Sequence, residues 1–151
     1  MSELLIGATI VVAGVLVGVE FCVAVLVNPI ADRLPSGGGL TFRSSAGRLL
    51  GTVMPPWYIA TVVLAVVSTV LLRSSSAGVL SGVAAALFVA TIVLAVTVLV
   101  PINNRVKAWS EGDHPPDWRR QVQRWDRWHL LRVLLCTAGL ILLVTAALTA
   151  P

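Results

Sequence analysis

A chain of 151 residues with 57% hydrophobic side chains, 12% charged side chains and a mean hydropathy of +0.91 is not an ordinary water-soluble domain, because such domains carry about 25% charged residues. The formal net charge of +4 would fit nucleic acid in a soluble protein. Here no basic segment lies outside the stretches that flank apolar runs, so nucleic acid is excluded as a partner and membrane lipids are expected instead.

Four apolar stretches, 4–27, 55–72, 79–100 and 130–149, are each about as long as the ~17–25 residues a helix needs to cross a bilayer. They predict a single integral membrane domain over 1–151. Its fold class is all-α, a four-transmembrane-helix up-down bundle with an interfacial helical segment before helix four. The first stretch is expected to stay in place and not be cleaved as a signal, since Met1-Ser2-Glu3 carries no Lys or Arg and the run is too long. It ends at Asn28-Pro29, because the residue before a proline is pushed out of the helical region. Leu34-Pro35-Ser36-Gly37-Gly38-Gly39 reads as a flexible turn, and Thr41–Leu50 as a short interfacial helix.

Met54-Pro55-Pro56-Trp57-Tyr58 opens the second span, with both aromatics expected at the interface, polar tips towards water. Arg73-Ser74-Ser75-Ser76 is a tight turn that makes spans two and three antiparallel neighbours. The third span leaves the membrane at Pro101. Glu111–Pro116 is a loop, with His114 solvated and Asp117 as the N-cap of a helix beginning at Trp118. There Trp118, Val122, Trp125 and His129 recur at helical spacing, for a helix that lies along the interface or runs directly into the fourth span, and Arg119, Arg120, Arg124 and Arg127 can reach lipid phosphates. Cys22 and Cys136 are expected to be small, buried, apolar-like side chains.

The basic residues also orient the chain. Arg33, Arg43 and Arg48 follow the first span, and Arg105, Lys107, Arg119, Arg120, Arg124 and Arg127 follow the third, against Arg73 alone on the other side. The positive-inside rule then places a multi-pass protein in the plasma membrane with both termini outside and the two long connections cytoplasmic.

Glu20 is the costliest residue in the chain. It lies eight residues before Asn28, about 12 Å below that helix end, where an ionisable group costs ~2.5–3.5 kcal/mol or more. Three readings fit: an ion pair with Arg132, a proton-transfer or ligand role, or a protonated carboxyl satisfied by a carbonyl. His129 and Arg132 are three apart on one helix face. An imidazole beside Asn103, Asn104 and Glu20 can serve as a base, or His129 can be an interfacial residue of an aromatic belt. Asn28, Asn103 and Asn104 can cap helix ends or hold a substrate oxygen. No metal centre and no cofactor are expected, the alternative being a mononuclear site on Glu20, His129 and an Asn. Gly7, Gly14, Gly18, Gly78, Gly82 and Ala84–Ala86 offer faces for a homo-oligomer.

Val98-Leu99-Val100-Pro101-Ile102-Asn103-Asn104-Arg105, followed by Trp118, Trp125, Trp128-His129 and Arg132, resembles the anthrone oxygenase-like family of small four-helix membrane proteins. The family pattern joins Pro-x-Asn-Asn after helix three to Trp-x-x-Trp-polar-x-x-Arg opening helix four. The resemblance implies Asn103, Asn104, Trp125, Trp128 and Arg132 as a shared polar-aromatic site. In many members an Asn separates the second Trp from the His, whereas His129 follows Trp128 directly, so any role of His129 rests on this chain's own residues. Characterised relatives oxidise anthrones to anthraquinones with molecular oxygen.

Two functions are therefore expected as alternatives. One is an oxygenase or oxidoreductase acting on a lipophilic aromatic at the cytoplasmic side, with Glu20, His129, Arg132 and Asn104 catalytic. Asn28, Trp57, Tyr58, Asn103, Trp125 and Trp128 would bind the substrate, and molecular oxygen would be the co-substrate. The other is a non-catalytic membrane module, as an oligomeric subunit, lipid-binding protein or small permease, in which Glu20 and Arg132 fix helix packing.

Overall fold

The computed structural model describes residues 2–35, 38–110 and 112–150. Helix α1 runs Ser2–Cys22, passes through a π-helical segment Val23–Val27 and continues as Asn28–Arg33. Helix α2 is Gly38–Leu71. Helix α3 runs Ser76–Leu94, through a second π segment Ala95–Leu99, and on as Val100–Val106. Helix α4 is Trp118–Thr149. All four are long and apolar enough to cross a membrane.

The rods outrun the apolar stretches for a local reason. Asn28 is helical (φ −66°, ψ −46°), and its N–H donates to the carbonyl of Val23, five residues back. Val100 likewise donates to Ala95. In both helices the widened turn comes just before a proline, Pro29 or Pro101, so the register change absorbs the residue that cannot donate and the helix continues. Thr41–Leu50 is not a separate interfacial helix but the beginning of α2, which runs through Pro55 and Pro56. The segment before the fourth span runs directly into it, the second of the two arrangements that its helical spacing allows. Trp118 to Arg132 is the opening of one 32-residue helix, because no Gly or Pro interrupts it before Gly139. At 1.5 Å per residue this rod is about 48 Å long, against a hydrocarbon core of about 30 Å.

Contacting residue pairs run in opposite senses along neighbouring helices. Along α1 and α2 they are Thr9 with Ser68, and Trp57 Nε1 donating to the Val12 carbonyl. Along α2 and α3 they are Asn103 with Gly47 and Gly82 with Thr69. Phe88 lies against Gly139 of α4. Mid-bundle, Leu16, Ala65, Phe88 and Leu143 are fully buried and form an apolar plug. Gly78 and Gly82 are used inside the bundle, where a Cβ would meet Leu72 or Thr69, whereas Gly7, Gly14 and Gly18 face open space. Cys136 is buried, but Cys22 is exposed on the bundle surface, and both are free.

The connection between α3 and α4 is held by a reciprocal pair of backbone bonds between Ser110 and Asp113. Asp117 occupies the N-cap position without a capping bond; its carboxylate accepts from Gln121 Nε2 instead. His114 is exposed, its ring tilted on Trp118. Of the expected turn between α1 and α2, Ser36 and Gly37 lie outside the described residues, as does Glu111 of the later loop.

Candidate functional site

Above the plug the four helices part around a cavity of about 380 Å³. Glu20 of α1 forms part of its wall and is 2% exposed. Burying a carboxylate this deeply requires partners, and α4 supplies them. Arg132 Nη2 donates to Glu20 Oε2 at 2.5 Å and contacts His129 Nδ1 at 3.0 Å. His129 Nε2 meets the backbone carbonyl of Glu20 at 3.2 Å. A carbonyl only accepts, so Nε2 is the nitrogen placed to donate, while Nδ1 lies within reach of both Arg132 Nη2 and, at 3.3 Å, Glu20 Oε2. No described residue donates to Glu20 Oε1. The Arg132 guanidinium also sits 5.5 Å over the Tyr58 ring. Trp125 stacks on His129 with centroids 4.6 Å apart.

A second polar cluster closes the cavity towards the chain's charged end. Arg43 forms a two-pronged bond with Asp126, at 3.0 and 3.1 Å, and reaches Asp32 at 2.8 Å. Asn28 Nδ2 donates to the same Asp126 at 2.9 Å. One arginine thus ties α2 to α1 and α4. On the α2–α3 side, Ser44 and Arg48 donate to the Lys107 carbonyl and Asn103 to that of Gly47.

Glu20, His129, Arg132, Asn28, Tyr58, Asn103 and Trp125 therefore come together around one space. Three expected residues do not. Asn104 is exposed beside Lys107, one residue and therefore about 100° away from Asn103 on the helix. Trp128 is exposed and outside the cavity wall, for the same reason relative to His129. Trp57 lies against α1 through its bond to Val12, away from the cavity. Its neighbour Tyr58 is not interfacial but buried, its hydroxyl 3.6 Å from Cys136 Sγ. Arg43 and Asp126 were not among the expected site residues. The signal for Asp126 was available: it is the only acidic residue between Trp118 and Arg132 on a helix rich in arginine.

The trio is a poor place for a cation, because Glu20 and His129 share the position of Arg132's positive charge. Among the described residues no group of three or more His, Cys, Asp or Glu side chains is placed to hold a metal. What the arrangement offers is a largely apolar chamber with a carboxylate oxygen and a guanidinium at its inner wall.

No curated protein and no solved structure matches the chain. A family model described as anthrone oxygenase matches residues 42–142, which takes in Arg43, Tyr58, Asn103, Asp126, His129 and Arg132. With more than half of its length inside that match, the chain belongs to the anthrone oxygenase family.

Proposed function

We propose that this protein is a membrane-embedded oxygenase that takes up a flat, lipophilic aromatic bearing an acidic C–H group, with an anthrone as the type substrate. The observation that carries this reading is the unshared oxygen of Glu20 on the wall of an apolar chamber, beside a guanidinium. Glu20 Oε1 removes one proton from the substrate methylene. Arg132 stabilises the developing enolate oxygen, the role in which fixed charge contributes most to catalysis. His129 has both ring nitrogens engaged, so it positions Glu20 and Arg132 and is not the base. The electron-rich carbon then adds molecular oxygen and, on return of the proton, becomes a hydroperoxide. Loss of the second C–H proton with cleavage of the O–O bond yields the ketone and one water, so that R₂CH₂ and O₂ give R₂C=O and H₂O.

The same reading sets the protein in the plasma membrane, with both termini outside and the site near the cytoplasmic surface, supported by the distribution of Arg and Lys. A homo-oligomer through the open Gly7, Gly14 and Gly18 face belongs to it as well.

The test is oxygen uptake and anthraquinone appearance with purified protein in lipid nanodiscs and a hydroxylated anthrone. Glu20→Gln is expected to lower the rate by about 10²–10⁴-fold, the usual contribution of a positioned base. A folded wild-type protein that leaves the anthrone to its spontaneous oxidation rate refutes the proposal. One observation favours a second reading. Glu20, His129 and Arg132 largely satisfy one another, as in a purely structural lock, and the chamber would then bind its aromatic without converting it.

A further inference from the structure

The chamber has a side opening, and its position can be read from which wall residues are exposed. Among the described residues, those lining the cavity that are also exposed are Phe42, Gly51, Pro55 and Ile59 on α2 and Val96 and Val100 on α3. The wall residues contributed by α1 and α4 are all buried or half-buried. Gly51, Pro55 and Ile59 are four apart, as are Val96 and Val100, so each set forms a stripe along its helix. The two stripes are the facing rims of a slot.

The slot is bounded at both ends. Towards the polar end α2 and α3 are joined by Asn103 to Gly47 and by Ser44 and Arg48 to Lys107. At the other end Gly82 packs closely on Thr69. Between these joints, two prolines interrupt the hydrogen bonding of α2 and a π segment widens α3, features that loosen a helix locally. Gly51, at the polar end of the slot, lies beside Lys107 Nζ, but from Pro55 and Ile59 across to Val96 and Val100 the rim carries no charged or hydrogen-bonding side chain, and the exposed neighbours Val63 and Val93 continue it with apolar surface. The side chains of that stretch give water nothing to bond, whereas a molecule dissolved among acyl chains meets a surface like its own surroundings.

We propose that the slot between α2 and α3 is a lateral portal, through which the cavity takes its ligand directly from the hydrocarbon layer. This rests on the reading of the chamber as a site for a lipophilic aromatic, and not on any chemistry performed there. The occupant is an uncharged ring system already dissolved in the bilayer. Glu20 and Arg132 cancel within the wall, and the Arg43 charge is taken up by Asp126 and Asp32.

The experiment compares two probes in vesicles of phosphatidylcholine and phosphatidylglycerol, read by energy transfer from the chain's tryptophans. One is free hydroxyanthracene. The other is an anthracene ring carried on a phospholipid acyl chain, which can approach only sideways through the bilayer. Wild type is expected to take up both. Val96→Phe and Ile59→Phe, each placing a ring on the rim at a lipid-facing position, are expected to slow uptake of the tethered ring about tenfold, as for any route that must first open wider. Val144→Phe, on exposed α4 surface, should leave it unchanged. Uptake of the free probe with exclusion of the tethered one overturns the portal, as does wild-type uptake of the tethered ring by both rim variants. Failure of wild type to take up either probe removes the aromatic-ligand reading itself, and the portal with it.

Discussion

Replacing either member of the Glu20–Arg132 pair by methionine tests whether these groups stabilise the bundle as a unit. Methionine keeps volume roughly constant, so the packing cost stays small and the change is mainly one of charge. Removing one partner of a buried ion pair leaves the other uncompensated, at about 3–5 kcal/mol. The two sites differ in how they escape that cost. Glu20 is 2% exposed and cannot reach water, whereas the Arg132 side chain is 13% exposed and long enough to swing towards the headgroups. Arg132→Met is therefore expected to fall in the upper part of the range and Glu20→Met in the lower. The double variant removes both charges and is expected to lie within about 1 kcal/mol of wild type, since apolar replacement of a whole buried pair is often neutral or better. The assay is reversible unfolding in mixed micelles, followed by far-ultraviolet dichroism. If the single costs simply add, to within about 0.5 kcal/mol, the two residues are not coupled and the reasoning fails.

Three further outcomes can be checked with simple variants. Gly47→Ala places a Cβ 2.5 Å from Asn103 Oδ1, so it is expected to cost about 1–3 kcal/mol as overpacking does, with Asn103→Ala restoring most of the loss in the same unfolding assay. Asp126→Ala removes two charge-assisted bonds from Arg43 and one from Asn28 and is expected to cost about 1.5–3 kcal/mol. Asp32→Ala, at a position 62% exposed, is expected to cost under about 1 kcal/mol. A reporter enzyme fused after Pro151 is expected to be active only outside the cell, and activity in the cytoplasm would reverse the orientation.

The spans and the depth of Glu20 were legible because both follow from cost: twenty apolar residues suit lipid, and a carboxylate among them demands a partner. Arg132 was readable as that partner from its place at the start of the last span. Helix ends were not, since Asn28-Pro29 and Val100-Pro101 look like stops until the preceding π turn is seen to absorb the missing donor. The choice between neighbours was equally hidden. Tyr58 rather than Trp57, Asn103 rather than Asn104, and His129 rather than Trp128 face the chamber, and each choice depends on a helix rotation that apolar run length does not encode. Arg43 escaped notice because charge counting treats it as part of a connection, whereas α2 extends far enough beyond its apolar stretch to carry it back onto α1 and α4.

The plug of Leu16, Ala65, Phe88 and Leu143 gives the molecule a blind end. The fully buried hydroxyls of Thr61 and Thr91 lie within a helical turn of Ala65 and Phe88, but the four plug side chains themselves offer no hydrogen-bonding group, so protons bound for the Glu20 carboxylate are expected to arrive from the polar end of the cavity. They cross a small part of the electric field across the bilayer, where a full crossing would be worth about 2.3 kcal/mol per charge at 100 mV. Proton transfer at this wall is then expected to respond little to the energised state of the cell.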